Sequence, residues 1–322
     1  MPRTDPVADR TLLRVAQLYY EQGLTQAEIA ARVHVTRWKV GRLLEEARQT
    51  GIVRIEIVHP RARCHLEEEA LRHRFGLEDA VVVPAVESPE GRRRQVAAAA
   101  AEYLADIRPQ PRTLAVSWGQ TLDDLVEQIP PGWTRGVVVV QANGGLSRTG
   151  RSASASVVSE LARQGVGTAV HLPAPAIVET AQLGAALSAD AAIRRVLDLA
   201  RGADAVVFSL GALMPSSVLV ATGYLSPRDV ESLRRRGAVG DVFARFVNAE
   251  GEAVDPDLER RTIGLSLEDL RRSKASIAVA AGDEKVPVAR AALHSGLCRV
   301  LVTDQRVARS VLDDLRDEPP SA

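Results

Sequence analysis

The stretch Thr25–Gly51, TQAEIAARVHVTRWKVGRLLEEARQTG, decides the architecture of the first part of the chain. Thr25-Gln26-Ala27-Glu28 is a capping box. The threonine hydroxyl takes an amide of the first helical turn, and the glutamate carboxylate reaches back to the threonine amide. The helix it opens is short and carries Ala27, Ile29, Ala30 and Val33. After Val33-His34-Val35, Thr36 caps a longer helix that runs to Thr50, where Gly51 stops it. Upstream, Leu12, Val15, Ala16 and Tyr19 give Thr11–Tyr20 a helical period that Gly23 ends. Short helix, tight turn and longer helix predict an all-α helix-turn-helix domain.

Phasing the last helix at about 100° per residue puts Val40, Leu43, Leu44 and Ala47 on one inward face. Trp38 then lies about 170° from the centre of that face, and Arg42 about 150° away on the other side. A tryptophan is by default a core anchor; this phasing turns Trp38 outward. Glu45 and Glu46 follow on the outer face, where they repel phosphates, so only Thr36 to Arg42 suit a DNA groove. Arg37 and Arg42 carry guanidinium forks for guanine edges or phosphates. Lys39 is a point charge suited to phosphate, and Trp38 offers an apolar edge to a thymine methyl or a sugar. Gln26 and the capped amides beside it suit a backbone phosphate. The plainer reading of these charges is a solvated basic face. Gly41 costs the helix about 1 kcal/mol relative to alanine, which close approach of DNA or of another helix would explain.

Charge distribution agrees with an anion-binding head. The formal net charge is zero, but residues 1–65 hold 11 Lys/Arg against 7 Asp/Glu, and the remainder 30 against 34. At 322 residues the chain has room for two unequal domains. No apolar run approaches the roughly 18 residues that span a bilayer, and the first residues lack the hydrophobic core of a signal peptide, so a cytoplasmic protein without membrane contact is expected. Cys64 and Cys298 stand far apart and the histidines show no ligand spacing, so neither a disulfide framework nor a metal site is expected.

Past Gly51, the alternation Gly51–Val58 reads as a strand and His59–Arg63 as a linker. Seven short apolar runs follow: Ala80–Val83, Leu114–Ser117, Val137–Gln141, Thr168–Leu172, Ala205–Leu210, Ser276–Ala280 and Val300–Thr303. Helical segments alternate with them, among them Thr121–Ile129, Ser152–Gln164, Asp190–Arg201, Pro227–Arg236 and Val286–Ser295. This pattern predicts an α/β, Rossmann-like domain with a mostly parallel sheet covered on both faces. Ligands bind such sheets beyond the carboxyl ends of the strands. There the chain places Gly119-Gln120-Thr121, Asn143-Gly144-Gly145, Gly211-Ala212, Gly240-Asp241 and Ala281–Lys285. The amides after Gly119 and the Thr121 hydroxyl suit a phosphate. Only Lys39, Lys274 and Lys285 are lysines among 41 basic residues, which draws attention to Lys285 as a compact cation. With Asp241 to accept from hydroxyls, it points to a polyhydroxylated, phosphorylated ligand. No P-loop, no G-x-S-x-G and no cofactor fingerprint is present, so neither an enzyme nor a cofactor is expected.

The ordered segments LTQAEIAARVHVTRWKVGRLLEEARQTGIVRIEI, AVSWGQTL, VVVVQANGGLS, HLPAPAIV, GAVGDVFARFVNAEG and VAAGDEKVPVARAALHSGLCRVLVTD resemble the SorC family of bacterial transcriptional regulators, from about Thr11 to Leu315. The resemblance implies a helix-turn-helix domain over residues 1–58 and a domain over 59–322 that binds a sugar or sugar phosphate and oligomerises. The second domain would be related in fold to sugar-phosphate isomerases. The implied partners are operator DNA, a small sugar phosphate or polyol, and further copies of the chain in a dimer or tetramer. The implied effector contacts are Gly119, Gln120, Thr121, Asn143, Gly144, Gly145, Asp241 and Lys285. The chain departs from the family at Ser117 and Asp283, where glycine is frequent, and at Gly41, where serine is. Asp283 adds a negative charge beside the expected phosphate position. Two other readings stay open: an isomerase-like enzyme using Asp241 and Lys285, and a regulator whose pocket is vestigial.

Overall fold

The computed structural model of the chain describes residues 6–53, 63–146 and 153–313. The chain divides into two compact units, Met1–His59 and Pro60–Ala322. Residues 54–58 of the expected strand, the linker up to residue 62 and the tail Arg316–Ala322 lie outside the described residues. The described start of that strand, residues 51–53, is turn and bend.

The first unit holds α1 (Pro6–Tyr20), α2 (Gln26–Arg32) and α3 (Arg37–Gln49). The capping box forms: the Thr25 amide donates to the Glu28 carboxylate at 2.8 Å and the Glu28 amide to the Thr25 hydroxyl at 3.3 Å. Thr36 caps α3 by accepting from the Lys39 amide at 3.2 Å. Between α2 and α3, His34 takes a left-handed conformation, φ 53°. Val15, Leu18, Ile29, Val40 and Leu44 form one apolar cluster, and Leu12, Ala16 and Ala47 a second. Each buried aliphatic side chain of this size contributes about 1.5–3 kcal/mol, and that packing holds a seven-residue helix such as α2 in place.

The second unit opens with α4 (His65–Phe75), β1 (Asp79–Val83), α5 (Pro89–Asp106), β2 (Thr113–Val116), α6 (Gln120–Gln128), β3 (Val138–Gln141) and α7 (Ala153–Gln164). It continues with β4 (Thr168–Val170), α8 (Ala181–Ala189), α9 (Ala191–Arg201), β5 (Ala205–Ala212), α10 (Val218–Ala221) and α11 (Pro227–Arg235). After β6 (Gly240–Val242), β7 (Arg245–Val247), α12 (Pro256–Arg261) and α13 (Leu267–Arg272) come β8 (Ser276–Ala280), α14 (Val286–His294), β9 (Val300–Asp304) and α15 (Gln305–Asp313). Each of the seven expected apolar runs coincides with a strand to within two residues at either end, and these run parallel in the order β1-β9-β8-β5-β2-β3-β4. Six of the runs are mostly apolar because both faces are covered, while edge strand β4 is partly exposed. Val81, Val83, Leu114 and Val116 pack with α5, α6 and α7 on one side. Ala80, Val82, Ala115 and Phe208 pack with α4, α14 and α15 on the other.

Two features were not legible in the pattern. The end of β5 pairs antiparallel with β6, and β6 with β7, making a ribbon beside the sheet. Edge strand β1 is covered along its backbone: Arg63 Nη2 donates to the Ala80 carbonyl at 3.0 Å, Cys64 N to the Val82 carbonyl at 2.7 Å, and Val82 N to Glu68 Oε1 at 2.9 Å. Unpaired strand edges invite association with another chain, and this cover removes the invitation. Successive crossovers run β2 to β3 to β4 in one direction and then return to β5 on the other side of β2. The sheet's topological switch point therefore lies between β2 and β5, where a crevice opens beyond the strand ends.

Candidate functional site

A cavity of about 500 Å³ occupies that crevice. The chain leaves β2 through Ser117, Trp118 and Gly119 and enters α6 at Gln120. Gly119 has φ 146°, and a Cβ there would come within 2.3 Å of Ser209 Oγ on β5, so only glycine lets the turn sit this close. Ser117 and Ser209 lock the turn: Ser209 N donates to Ser117 Oγ at 3.4 Å, and Ser209 Oγ to the Trp118 carbonyl at 3.2 Å. In α6 the amides of Leu122 and Asp123 return to the Gly119 carbonyl. The amides of Gln120 and Thr121 have no partner among the described residues, and both residues line the cavity. A helix start of this kind favours an anion.

Asn143 follows β3 and is 1% exposed, yet neither its side-chain oxygen nor its nitrogen has a partner among the described residues. Its backbone is held firmly. Asn143 bridges to Gly264, its carbonyl accepts from Gln141 Nε2 at 2.7 Å, and Leu265 N donates to the Ala142 carbonyl at 2.8 Å. An unpaired buried amide costs about 1–3 kcal/mol, and a ligand with both a donor and an acceptor removes that cost.

Asp241 lies on β6, opposite Gly211 of β5. A Cβ on Gly211 would fall 1.8 Å from the Asp241 carboxylate, so glycine is required for the carboxylate to reach the cavity. Burial pushes the Asp241 carboxyl up to about 6, although the nearby Lys285 ammonium and the Ala244 amide, 3.1 Å from Oδ2, favour the charged form. Burial lowers the Lys285 ammonium in turn, against the pull of Asp241 and Glu284. The two groups oppose each other's loss of charge across a shared pocket.

Of the eight expected effector contacts, the structure brings Gly119, Gln120, Thr121, Asn143, Asp241 and Lys285 to one cavity. Gly144 and Gly145 lie outside its lining. The Gly144 carbonyl accepts from Trp118 Nε1 at 2.9 Å, and the two Gly145 backbone groups pair with Ala174 and Ala176. Their work is to brace the Asn143 turn. The cavity also recruits Arg92, Arg93, Ser209 and Phe243, which sequence reading did not single out. Arg92 and Arg93 sit in an Arg-Arg-Arg run that reads as a solvated helix face, and Ser209 lies inside an apolar strand. Lys274, the other lysine of this unit, is exposed and pairs with Asp204 at 2.9 Å, away from the cavity.

In the helical unit, Trp38 is 72% exposed, and the Arg42 guanidinium lies 5.1 Å from its ring centroid in a cation–π contact. Arg37, Lys39, Glu45 and Glu46 are exposed; Gln26 is half-buried and lines up with Gly41 across α2 and α3. Among the described residues no group of three or more His, Cys, Asp or Glu side chains could hold a metal. No described helix is long and apolar enough to cross a membrane.

Residues 59–313 match a family model described as "Putative sugar-binding domain". The deoxyribonucleoside regulator of Bacillus subtilis (strain 168) is 30% identical over 305 residues, covering 94% of this chain and 97% of that protein. The transcriptional regulator LsrR of Enterobacter sp. (strain 638) is 32% identical over 313 residues, covering 94% and 93%. Among solved structures, the full-length sorbitol operon regulator SorC of Klebsiella pneumoniae is similar at a TM-score of 0.70 and 25% identity, covering 94% of this chain and 98% of that one. With a matching sugar-binding domain and relatives of the same length that are regulators, the chain belongs to the SorC family of sugar-binding transcriptional regulators.

Proposed function

We propose that α2 and α3 form a helix-turn-helix that holds operator DNA, and that a small phosphorylated sugar or polyol in the β2–β5 crevice sets its grip. The protein would act in the cytoplasm as a homo-oligomer, a dimer or tetramer, because paired reading heads match paired half-sites. The observation that carries the effector reading is Asn143, whose buried amide lines the cavity and has no partner at either end among the described residues. On the DNA side, the reading rests on the exposed Trp38–Arg42 pair at the capped start of α3. Thr36, Arg37, Trp38, Lys39 and Arg42 take the groove and Gln26 a backbone phosphate.

The test is a thermal-shift screen of sugars, polyols and their phosphates, followed by operator titrations with and without each hit. A ligand at 100 times its dissociation constant adds about 2.7 kcal/mol of stability. Asn143→Ala should abolish the shift while leaving operator binding intact. Arg42→Ala should cost about 1–3 kcal/mol of operator affinity if the side chain reads a base. Unchanged operator affinity in folded Arg42→Ala removes that role, and a hit that survives Asn143→Ala moves the effector elsewhere.

One observation favours a second reading. Asp241 raised and Lys285 lowered toward neutrality is an arrangement suited to acid–base chemistry on a sugar phosphate. Isomerase turnover over a phosphosugar panel, lost in Asp241→Asn, would establish it; absence of turnover with a bound ligand retains the regulator.

A further inference from the structure

Resting on the reading of this cavity as the effector site, we propose that Arg92 is its anion-binding residue and Asp283 a built-in counter-ion that only a phosphate displaces. The cavity thereby selects phosphorylated over neutral carbohydrate.

The three arginines of the 92–94 run have separate fates. Arg94 is exposed and pairs with Glu90 one turn back at 3.0 Å, while Arg93 Nε is fixed on Asp124 at 2.6 Å. Arg92 is 5% exposed and lines the cavity. It comes from the start of α5, which Ser88 caps by accepting from the Gly91 amide at 3.2 Å. Its Nε donates to the Val86 carbonyl at 3.2 Å and its Nη1 to Asp283 Oδ1 at 3.2 Å. Its Nη2 has no partner among the described residues. A guanidinium this buried needs an anion, and the one it has is weakly committed.

Asp283 is that anion. It sits in the turn Asp283–Lys285 with 61% of its side chain exposed, and its other oxygen lies 3.9 Å from Arg306. An exposed carboxylate with a second cation within reach is a replaceable partner. Asp241 is not, because it is buried, held by the Ala244 amide and faced by Lys285. A phosphate monoester carries about −1.5 to −2 charge and three acceptor oxygens, which suits a bidentate guanidinium better than one exposed carboxylate does. The free Gln120 and Thr121 amides and the Lys285 ammonium line the same cavity. A neutral polyol offers Arg92 nothing that compensates for parting it from Asp283. The acid at position 283, which adds negative charge beside the phosphate position, thus sets a threshold that the ligand's charge must exceed.

The experiment titrates inorganic phosphate into the full-length protein by calorimetry, comparing wild type with Arg92→Gln, Asp283→Asn and the double variant. Asp283→Asn should tighten phosphate binding several-fold, Arg92→Gln should weaken it at least about tenfold, and Asp283→Asn should have no effect in the Arg92→Gln background. Asp283 is exposed, so its variant folds and carries the test even where Arg92→Gln does not. Phosphate affinity unchanged or weaker in Asp283→Asn overturns the proposal, as does a folded Arg92→Gln that binds like wild type. A neutral carbohydrate that shifts operator affinity while phosphate binds independently of Arg92 overturns it too, yet leaves the effector reading standing. Failure of every sugar, polyol and phosphate to bind wild type sinks the effector reading itself.

Discussion

At the residue scale, Trp38 shows what helical phasing can decide. The period alone separated it from Val40, Leu44 and Ala47, and those three are buried while Trp38 is exposed. Its contact with Arg42 follows from spacing, since residues four apart on a helix are neighbours. Gly41 is a different case. A Cβ there would meet only Gln26 Oε1, at an ordinary 3.7 Å, so nothing within the described residues requires glycine. Gly41→Ala should therefore raise stability by about 0.5–1 kcal/mol in urea melts; a loss would show a packing role that the geometry does not contain. If operator affinity falls in the same variant, the missing methyl is serving close approach of DNA. Asp241 yields a pH prediction whose sign is fixed by its raised folded value. Between about pH 4 and 6 the unfolded chain ionises this carboxyl while the folded chain keeps its proton, so stability falls as pH rises through that window and then levels off. Asp241→Asn removes that contribution and should gain on wild type with rising pH, by up to about 3 kcal/mol above pH 6. Parallel stability profiles for the two proteins from pH 4 to 7 would refute the assignment.

At the scale of elements, long apolar runs were legible and the ribbon β6–β7 was not. Strands buried on both faces announce themselves as runs of three or more apolar residues, which makes six of the seven parallel strands legible; edge strand β4, Thr168-Ala169-Val170, is partly exposed and shows only a short apolar stretch. The ribbon has three-residue strands and a two-residue turn, Phe243-Ala244, with no Asn-Gly signal. Both turn residues have positive φ, 56° and 63°, which a tight hairpin needs and which L side chains resist. Tertiary contacts impose the turn. Phe243 packs on Phe208 at 5.3 Å between centroids, the Ala244 amide is held by Asp241, and Arg245 donates to carbonyls at Glu259, Thr262, Gly264 and Leu265. That arginine ties the ribbon to the segment bridging Asn143, so one buried cation positions two walls of the cavity. Ala244→Gly should relieve about 1–2 kcal/mol of left-handed strain. Against it stand the greater entropy that glycine loses on folding and the loss of a fully buried methyl, each about 0.5–1 kcal/mol, so the variant should stay within about 1 kcal/mol of wild type. Chemical denaturation measures it; a clear destabilisation would mean that the turn is not strained at this residue.

At the scale of the whole molecule, strand order was hidden because pairing joins residues that composition and period treat independently. The switch between β2 and β5 is a property of that order, and it brings a residue from each of five ordinary-looking glycine turns to one cavity, with Gly144 and Gly145 bracing the turn that supplies Asn143. Arg92 was illegible for a related reason, since only the packing of α5 over the sheet buries one arginine of three. The same packing suggests how the cavity speaks to the rest of the chain. Gly282, at the cavity wall, donates its amide to Asp304 Oδ2 at 2.9 Å, and Oδ1 of the same carboxylate caps α15 through the Arg306 and Val307 amides. From α15, Gln305 and Arg309 both donate to Glu67 Oε1 on α4, at 2.9 and 2.8 Å. Its neighbour Glu68 holds Val82 of the edge strand and Arg63, the first described residue after the segment leading back to the helical unit. A displacement of Gly282–Lys285 by the proposed effector thus has a route to the start of the second unit, through hydrogen bonds and one backbone step in α4 from Glu67 to Glu68. Glu67→Ala cuts that route without touching the cavity. It should leave effector affinity within about twofold of wild type, while lowering the coupling between effector and operator by about 0.5–2 kcal/mol. The measurement is a pair of operator titrations, with and without saturating effector, for each protein. An unchanged ratio in the variant would mean that the signal leaves the cavity by another path, the β6–β7 ribbon and Arg245 being the next to test.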